Sequence, residues 1–498
     1  MLDLIQWRAS KTPEAQALFF NGRWYTYREL EGRANRLANR LLSLGVKRGD
    51  RVAVIARNHP VHFDLLLAAP KIGIVFAPFN PHVSDAELAA MAAVVKPAMV
   101  FADSRYHAAA AATGAPWTRL SDYREWLAVG SVETPPAPSP ALVVDEAHTY
   151  FFTPRGVVAL PYRQVLLNAR HSADAWGLSS RDGTVHCLPC FGPELLLLCL
   201  PLLYRGGRVV LMSGFDADEY LGHLALHRVT VAALTPLMLR QLADFRDFDE
   251  ADLSSLDWLA SVDAPMPLVV RRALAQRGLT LRLLVPLAEA GPNLFDASSS
   301  DEEARPERLG KPLPELSLKV CNSAGEELPE GEPGELRVAG PMVFNGYLDA
   351  AGITTSALQD GWLSTGRAVV KDQDGQYLHR GDIHDAFVSE GMRIFPVEIE
   401  AALLQCEGMV DCAVTGISEA GSGLKILAAI VLSEGMQPDD DALRQALAQS
   451  LPPGKRPAHF ARLRLLPRDG WGAIRRDALV QAFEQARSAG NQLSEPLA

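Results

Sequence analysis

The first hundred residues constrain the fold most. Short apolar runs at 51–56, 74–79 and 99–102 are too brief for helices and hold β-branched or aromatic residues. Helical patterns over 60–72 and 84–94 separate them. A strand that must re-enter its sheet in the same direction needs such a crossover, so the alternation predicts a parallel sheet with buried strands. Just upstream, Thr26-Tyr-Arg-Glu29 reads as a capping box, with Leu30, Ala34, Leu37 and Leu41 on one face of the helix it starts.

The alternation resumes after a Pro-rich linker at 134–140, with strands predicted at 209–212, 229–234, 258–262 and 281–287. From 310 to 380 the pattern changes to short strands punctuated by Gly and Pro, as in a small β-barrel-like subdomain. Beyond Gly381 comes an α+β pattern: helix 397–406, strands 412–417 and 426–432, helix 440–450, strand 461–466 and a last helix from Ile474. The expected fold is therefore α/β. A large N-terminal domain (1–381) holds two parallel-type α/β subdomains and the β-barrel-like one. A small mobile α+β C-terminal domain (382–489) and a disordered tail (490–498) follow.

With 48% hydrophobic and 21% charged residues, the chain of 498 residues can build a substantial core. A formal net charge of −11 argues against nucleic-acid binding, which needs a basic surface to displace counterions. The N-terminus lacks a basic start followed by an apolar run, and the longest apolar run, 195–203, is too short to span a bilayer. Six cysteines in so long a chain form no disulfide framework. The expectation is a soluble cytoplasmic protein in a reducing compartment. His186-Cys187-x-x-Cys190 lacks the second Cys pair that a structural zinc would want, so these thiols read as buried and inert.

Several segments set turns by Gly and Pro at fixed offsets: Gly310-Lys-Pro-Leu-Pro314, Gly334-Glu-Leu-Arg-Val-Ala-Gly-Pro341, Asp360-Gly-Trp-Leu-Ser-Thr-Gly366 and Phe395-Pro-Val-Glu-Ile-Glu400. With Trp24-Tyr-Thr-Tyr-Arg-Glu-Leu30 and Asn345-Gly-Tyr347, they make nearly the whole chain resemble the adenylate-forming superfamily of acyl- and aryl-CoA synthetases. The resemblance implies a reaction that joins a carboxylate to the α-phosphate of ATP and then passes the acyl group to a thiol or amine.

The chemistry positions depart from that pattern. Where the family has a Gly/Ser/Thr-rich phosphate loop, Thr153 runs straight into Pro154-Arg155-Gly156, about four residues short of a loop that would cradle an anion. The family's Tyr-Gly-x-Thr-Glu is Val285-Pro-Leu-Ala288-Glu289. The resemblance makes Glu289 the metal-binding carboxylate, but the adenine-stacking tyrosine is Val285 and the threonine is Ala288. The ribose-binding Asp is Arg367, which cannot accept a hydrogen bond, and the ribose-contacting Arg is Asp382. His384 and Asp385 fall at the interdomain hinge, and the lysine that bridges carboxylate and α-phosphate is Ala473. On the thiol-transfer side, the family's Gly-Gly stretch is Glu390-Gly391 and its histidine or aromatic gate is Gly192. Phe191, Gly192 and Asp263 are the candidate acyl pocket. Arg462, Arg464, Arg468, Arg475 and Arg476 form a basic run that either docks an acidic carrier protein or is a solvated face.

Three functions remain open at this point. The favoured one is a ligase homologue that has lost ATP-dependent adenylation. It would bind an acyl or aryl small molecule, an acyl carrier protein or a partner ligase, with no cofactor. The second is an ATP-independent acyl-transfer enzyme, although no Gly-x-Ser-x-Gly elbow or metal-ligand cluster is present. The third is an active ligase with a rebuilt nucleotide site, which Glu289 favours. Because Arg367 and Asp382 swap the signs of two residues that meet at one ribose, Arg367 is predicted to pair with Asp382 or Asp385. The C-terminal unit is predicted to keep one orientation or to hang loosely on residues 381–385.

Overall fold

The structure, a computed structural model, describes residues 3–264, 266, 268–297, 307–419, 423–433, 435, 436, 438–469 and 473–488. The predicted tail lies outside these residues. The opening alternation folds as a parallel core: Val75–Phe79, Arg51–Ile55, Met99–Ala102 and Trp117–Arg119 lie side by side in that order. The side chains of the first three are buried almost throughout, on both faces, which is why those runs read as continuously apolar rather than alternating. The capping box forms as predicted, with the Thr26 hydroxyl accepting from the Glu29 N–H and the Glu29 carboxylate accepting from the Thr26 N–H.

The sheet does not stop there. Ala147–Thr153 joins Val75–Phe79 in parallel, then turns back at once into Gly156–Pro161, and Gly346–Asp349 and Gly352–Thr354 extend the antiparallel edge. The second alternating block is therefore not self-contained. Its strand Arg208–Leu211 pairs with Gly183–His186 on one side and with the N-terminal Gln16–Phe20 on the other. Val231–Leu234, Trp258–Val262 and Thr280–Leu284 make a separate parallel sheet.

The predicted β-rich subdomain is an antiparallel sheet ordered Arg308–Gly310, Tyr377–Asp382, Trp362–Lys371, Pro333–Ala339, Ser317–Cys321. The C-terminal unit packs helices Pro396–Leu403, Asp440–Leu447 and Arg476–Ser488 on the strands Met409–Glu419, Gly423–Leu432 and His459–Arg462. Hydrogen bonds tie it to the large domain, from the Arg240 guanidinium to the Ser433 hydroxyl and from the Arg271 guanidinium to the Gln405 side-chain oxygen. Among the described residues no helix is long and apolar enough to cross a membrane.

Candidate functional site

A cavity of about 570 Å³ opens between the large domain and the C-terminal unit. It gathers most of the positions singled out in the sequence: Thr153, Phe191, Gly192, Asp263, Ala288, Glu289, Arg367, Asp382, Asp385 and Ala473 all line it. Val285 and His384 do not. Val285 instead borders a small pocket with Leu294 and Phe295.

The shortened loop explains one wall. Thr153 pairs directly with Gly156, so the two strands close in a tight hairpin with Pro154 and Arg155 at its tip. Gly156 has φ of 137°, a region that disfavours side chains, and a Cβ there would press on the Tyr347 ring. The tip aims Arg155 across the site. Its guanidinium donates to the backbone carbonyls of Thr365 at 2.5 Å and Ser364 at 2.9 Å. It also lies 3.8 Å from the Glu289 carboxylate. Glu289 is buried and accepts the Tyr347 hydroxyl at 2.7 Å. Sequence reasoning gave neither Arg155 nor Tyr347 a role, although both stand inside the motifs that were read.

The opposite wall holds an acidic pair. Glu194 folds its carboxyl over Gly192: a Cβ built on Gly192 would sit 2.0 Å from Glu194 Oε2. The volume that the resemblance gives to an aromatic or histidine gate is thus filled by a carboxyl from two residues further on. Removal from bulk water, helped by the nearby Asp263, pushes the Glu194 carboxyl up to about 8. Asp263 has a left-handed φ of 72°; its atoms reach the cavity, yet the surrounding protein raises its carboxyl and Arg367 opposes the rise. Beside them His379 is buried with Nδ1 unpartnered, and burial with the neighbouring Arg367 pushes it down to about 3, so the ring is neutral.

The predicted pairing of Arg367 with Asp382 or Asp385 does not form. The two strands place Arg367 opposite Asp382, but Asp382 turns its Oδ1 to the backbone N–H of His384 and caps the turn Ile383–Asp385. Asp385 is taken by Arg476 at 3.0 Å, and the same guanidinium holds Glu400 at 2.9 Å and the Val414 carbonyl at 2.8 Å. Local capping and a competing arginine therefore win over the swapped charges. In the basic run Arg462, Arg468 and Arg475 pair with Asp440, Asp411 and Asp477, Arg476 is taken up as above, and Arg464 is exposed. The C-terminal unit turns Ala473 to the cavity, while Glu390 is exposed and bonded to Lys425.

Cys187 and Cys190 are buried and their thiols pushed up by desolvation, as inert thiols should be. Among the described residues no group of three or more His, Cys, Asp or Glu is arranged to hold a metal ion.

The chain matches the AMP-binding enzyme family over residues 5–348 and the AMP-binding enzyme C-terminal domain over 398–472. It is similar to a feruloyl-CoA synthase from Amycolatopsis sp, with 31% identity over 96% of this chain and 97% of the relative. An indoleacetate–CoA ligase from Aromatoleum aromaticum is 27% identical over 96% of this chain and 98% of its own. Among solved structures, ATP-bound MatB from Rhodopseudomonas palustris superposes with a TM-score of 0.86 at 25% identity, covering 97% of this chain and 99% of that one. The anthranilate CoA ligase AuaEII, in complex with anthranoyl-AMP, shares the fold with a TM-score of 0.88 at 21% identity, over 98% of this chain and 97% of its own. The chain belongs to the adenylate-forming superfamily of AMP-binding enzymes, the group that includes the acyl- and aryl-CoA ligases.

Proposed function

We propose that this member of the family binds a small acyl or aryl compound in the interdomain cavity without adenylating it. The single observation that carries the reading is Arg155. A side chain from the shortened hairpin spans the cavity wall, bonds to the Ser364 and Thr365 carbonyls and stands beside Glu289. Phosphates would need converging backbone amides where the hairpin has a two-residue tip, and a divalent ion would meet a guanidinium 3.8 Å from its carboxylate. The residues present do not fit a metal–nucleotide complex, so no step is routed through one. The division at 381/382, the hinge role of His384 and Asp385, and the acyl pocket around Phe191, Gly192 and Asp263 belong to the same proposal.

A second reading is an active acyl- or aryl-acid ligase with a rebuilt nucleotide site. It is supported by the buried Glu289 and by the ligases among the relatives. A carrier-protein partner rests on similarity to the Streptomyces coeruleorubidus fatty acid–[acyl-carrier-protein] ligase ScoC, 26% identical over 97% of this chain and 96% of its own. ATP–pyrophosphate exchange separates the two readings. We expect none with aromatic or aliphatic acids. Exchange that needs both acid and ATP and disappears in Glu289→Ala would establish the ligase instead.

A further inference from the structure

Four arginines line the cavity, and three are committed. Arg155 is held by carbonyls, Arg468 by Asp411 and Arg476 by Asp385 and Glu400. The fourth, Arg367, has no hydrogen-bond or ion-pair partner for its guanidinium among the described residues, although it is half-buried. A guanidinium removed in part from water and left without a partner is an anion site by its chemistry, since its fork matches a carboxylate in two parallel hydrogen bonds. The same cavity is also lined by Phe152, Pro189, Phe191, Pro193, Pro286 and Leu287, an apolar surface for the rest of a ligand.

We infer that Arg367 anchors the carboxylate of a small acid whose apolar body lies against the Phe191 side of the cavity. This rests on the reading that the cavity binds without adenylating. The resemblance assigns carboxylate contact to a lysine of the C-terminal unit, where Ala473 stands. Arg367 moves that contact onto a strand of the large domain, so it no longer depends on how the C-terminal unit is placed.

The neighbouring acids leave the guanidinium available. Asp382 is engaged with the His384 N–H, and no described carboxylate lies within ion-pairing distance of Arg367. Glu194 keeps its proton at neutral pH, so it does not compete as an anion and can donate its O–H to an incoming carboxylate. Asp263 also lines the cavity and feels the field of Arg367 without forming an ion pair with it, and an amine ligand would meet a neutral Glu194 beside that arginine.

The test is calorimetric titration of the full chain at pH 7 without nucleotide. Octanoate, benzoate and cinnamate are compared with their uncharged amides. Each acid should bind at least about 10-fold tighter than its amide, as expected for a charge-assisted bidentate contact. Arg367→Gln should erase that preference and leave amide affinity within about 2-fold, while Arg367→Lys should restore part of it. Unchanged melting of both variants checks the fold. The inference is overturned if none of the acids binds, if acid and amide bind equally, or if Arg367→Gln keeps the preference. Tighter binding of benzylamine or inorganic phosphate than of benzoate overturns it as well. The exchange assay fails or succeeds separately, so a working ligase would sink the non-adenylating reading without deciding what Arg367 holds.

Discussion

Replacing Glu194 by Gln tests the electrostatics of the cavity directly. In the folded chain the carboxyl holds its proton to about pH 8, whereas the unfolded chain releases it near the ordinary 4.5. Unfolding therefore releases a proton across that window. The contribution to stability is complete below about pH 4.5, declines as pH rises, and is lost once pH passes about 8. At about 1.4 kcal/mol per pH unit the ceiling on the loss is ~5 kcal/mol. Water in a cavity of about 570 Å³ solvates part of the ionised form, so roughly 1–2 kcal/mol is the realistic expectation. Gln has nearly the same shape and never ionises. Glu194→Gln should thus match the parent at pH 4.5–5 and exceed it by ~1–2 kcal/mol at pH 8.5. Denaturant melts of both proteins across that range give the difference, in which titrations not coupled to Glu194 cancel. A difference that is constant with pH would mean that packing, not proton affinity, separates the two side chains, and the argument would be wrong.

Gly192→Ala should couple to this effect: its Cβ would take the position of Glu194 Oε2 and push the carboxyl toward water, so the pH-dependent gain of Glu194→Gln should shrink in that background. Persistence of the full gain would show that Glu194 does not need the space over Gly192. Arg155→Ala removes the donors to two backbone carbonyls and should cost ~1–3 kcal/mol in a chemical melt, with an unchanged midpoint counting against the bridging role. Arg476→Ala strips Asp385, Glu400 and the Val414 carbonyl at once. It should cost about 3 kcal/mol and speed proteolytic cleavage near residues 383–385, and equal cleavage rates in variant and parent would contradict that.

The scaffold was legible because its signals are local. The cap at Thr26, the buried runs at 51–56 and 99–102 and the Gly/Pro-punctuated strands beyond 310 each depend on residues close in sequence. Pairing partners were not. Nothing near Gln16 announces that it lies beside Arg208–Leu211, the pairing that ties the N-terminal segment to the second block. The site divides in the same way. Its backbone positions converge on one cavity as the motifs suggested, but side-chain commitments depend on competition. Asp382 found an amide two residues away, Asp385 found Arg476 from the last helix, and Arg155 found carbonyls more than two hundred residues along the chain. Complementary charge alone could not rank those outcomes. Glu194 was the plainest omission: a glycine at a gate position followed closely by an acid is a pattern that could have been read.

The hairpin at Thr153–Gly156 also resists lengthening. Reinserting a glycine-rich segment at that tip would have to unpair Thr153 from Gly156, remove Arg155 from the Ser364 and Thr365 carbonyls and find those acceptors new donors. Each such step would lose the Arg155 contacts before a longer loop could supply donors in their place. On the proposed non-adenylating reading, laboratory selection for nucleotide use should find replacements elsewhere in the cavity before it lengthens this hairpin, because Arg155 would first have to leave both carbonyls.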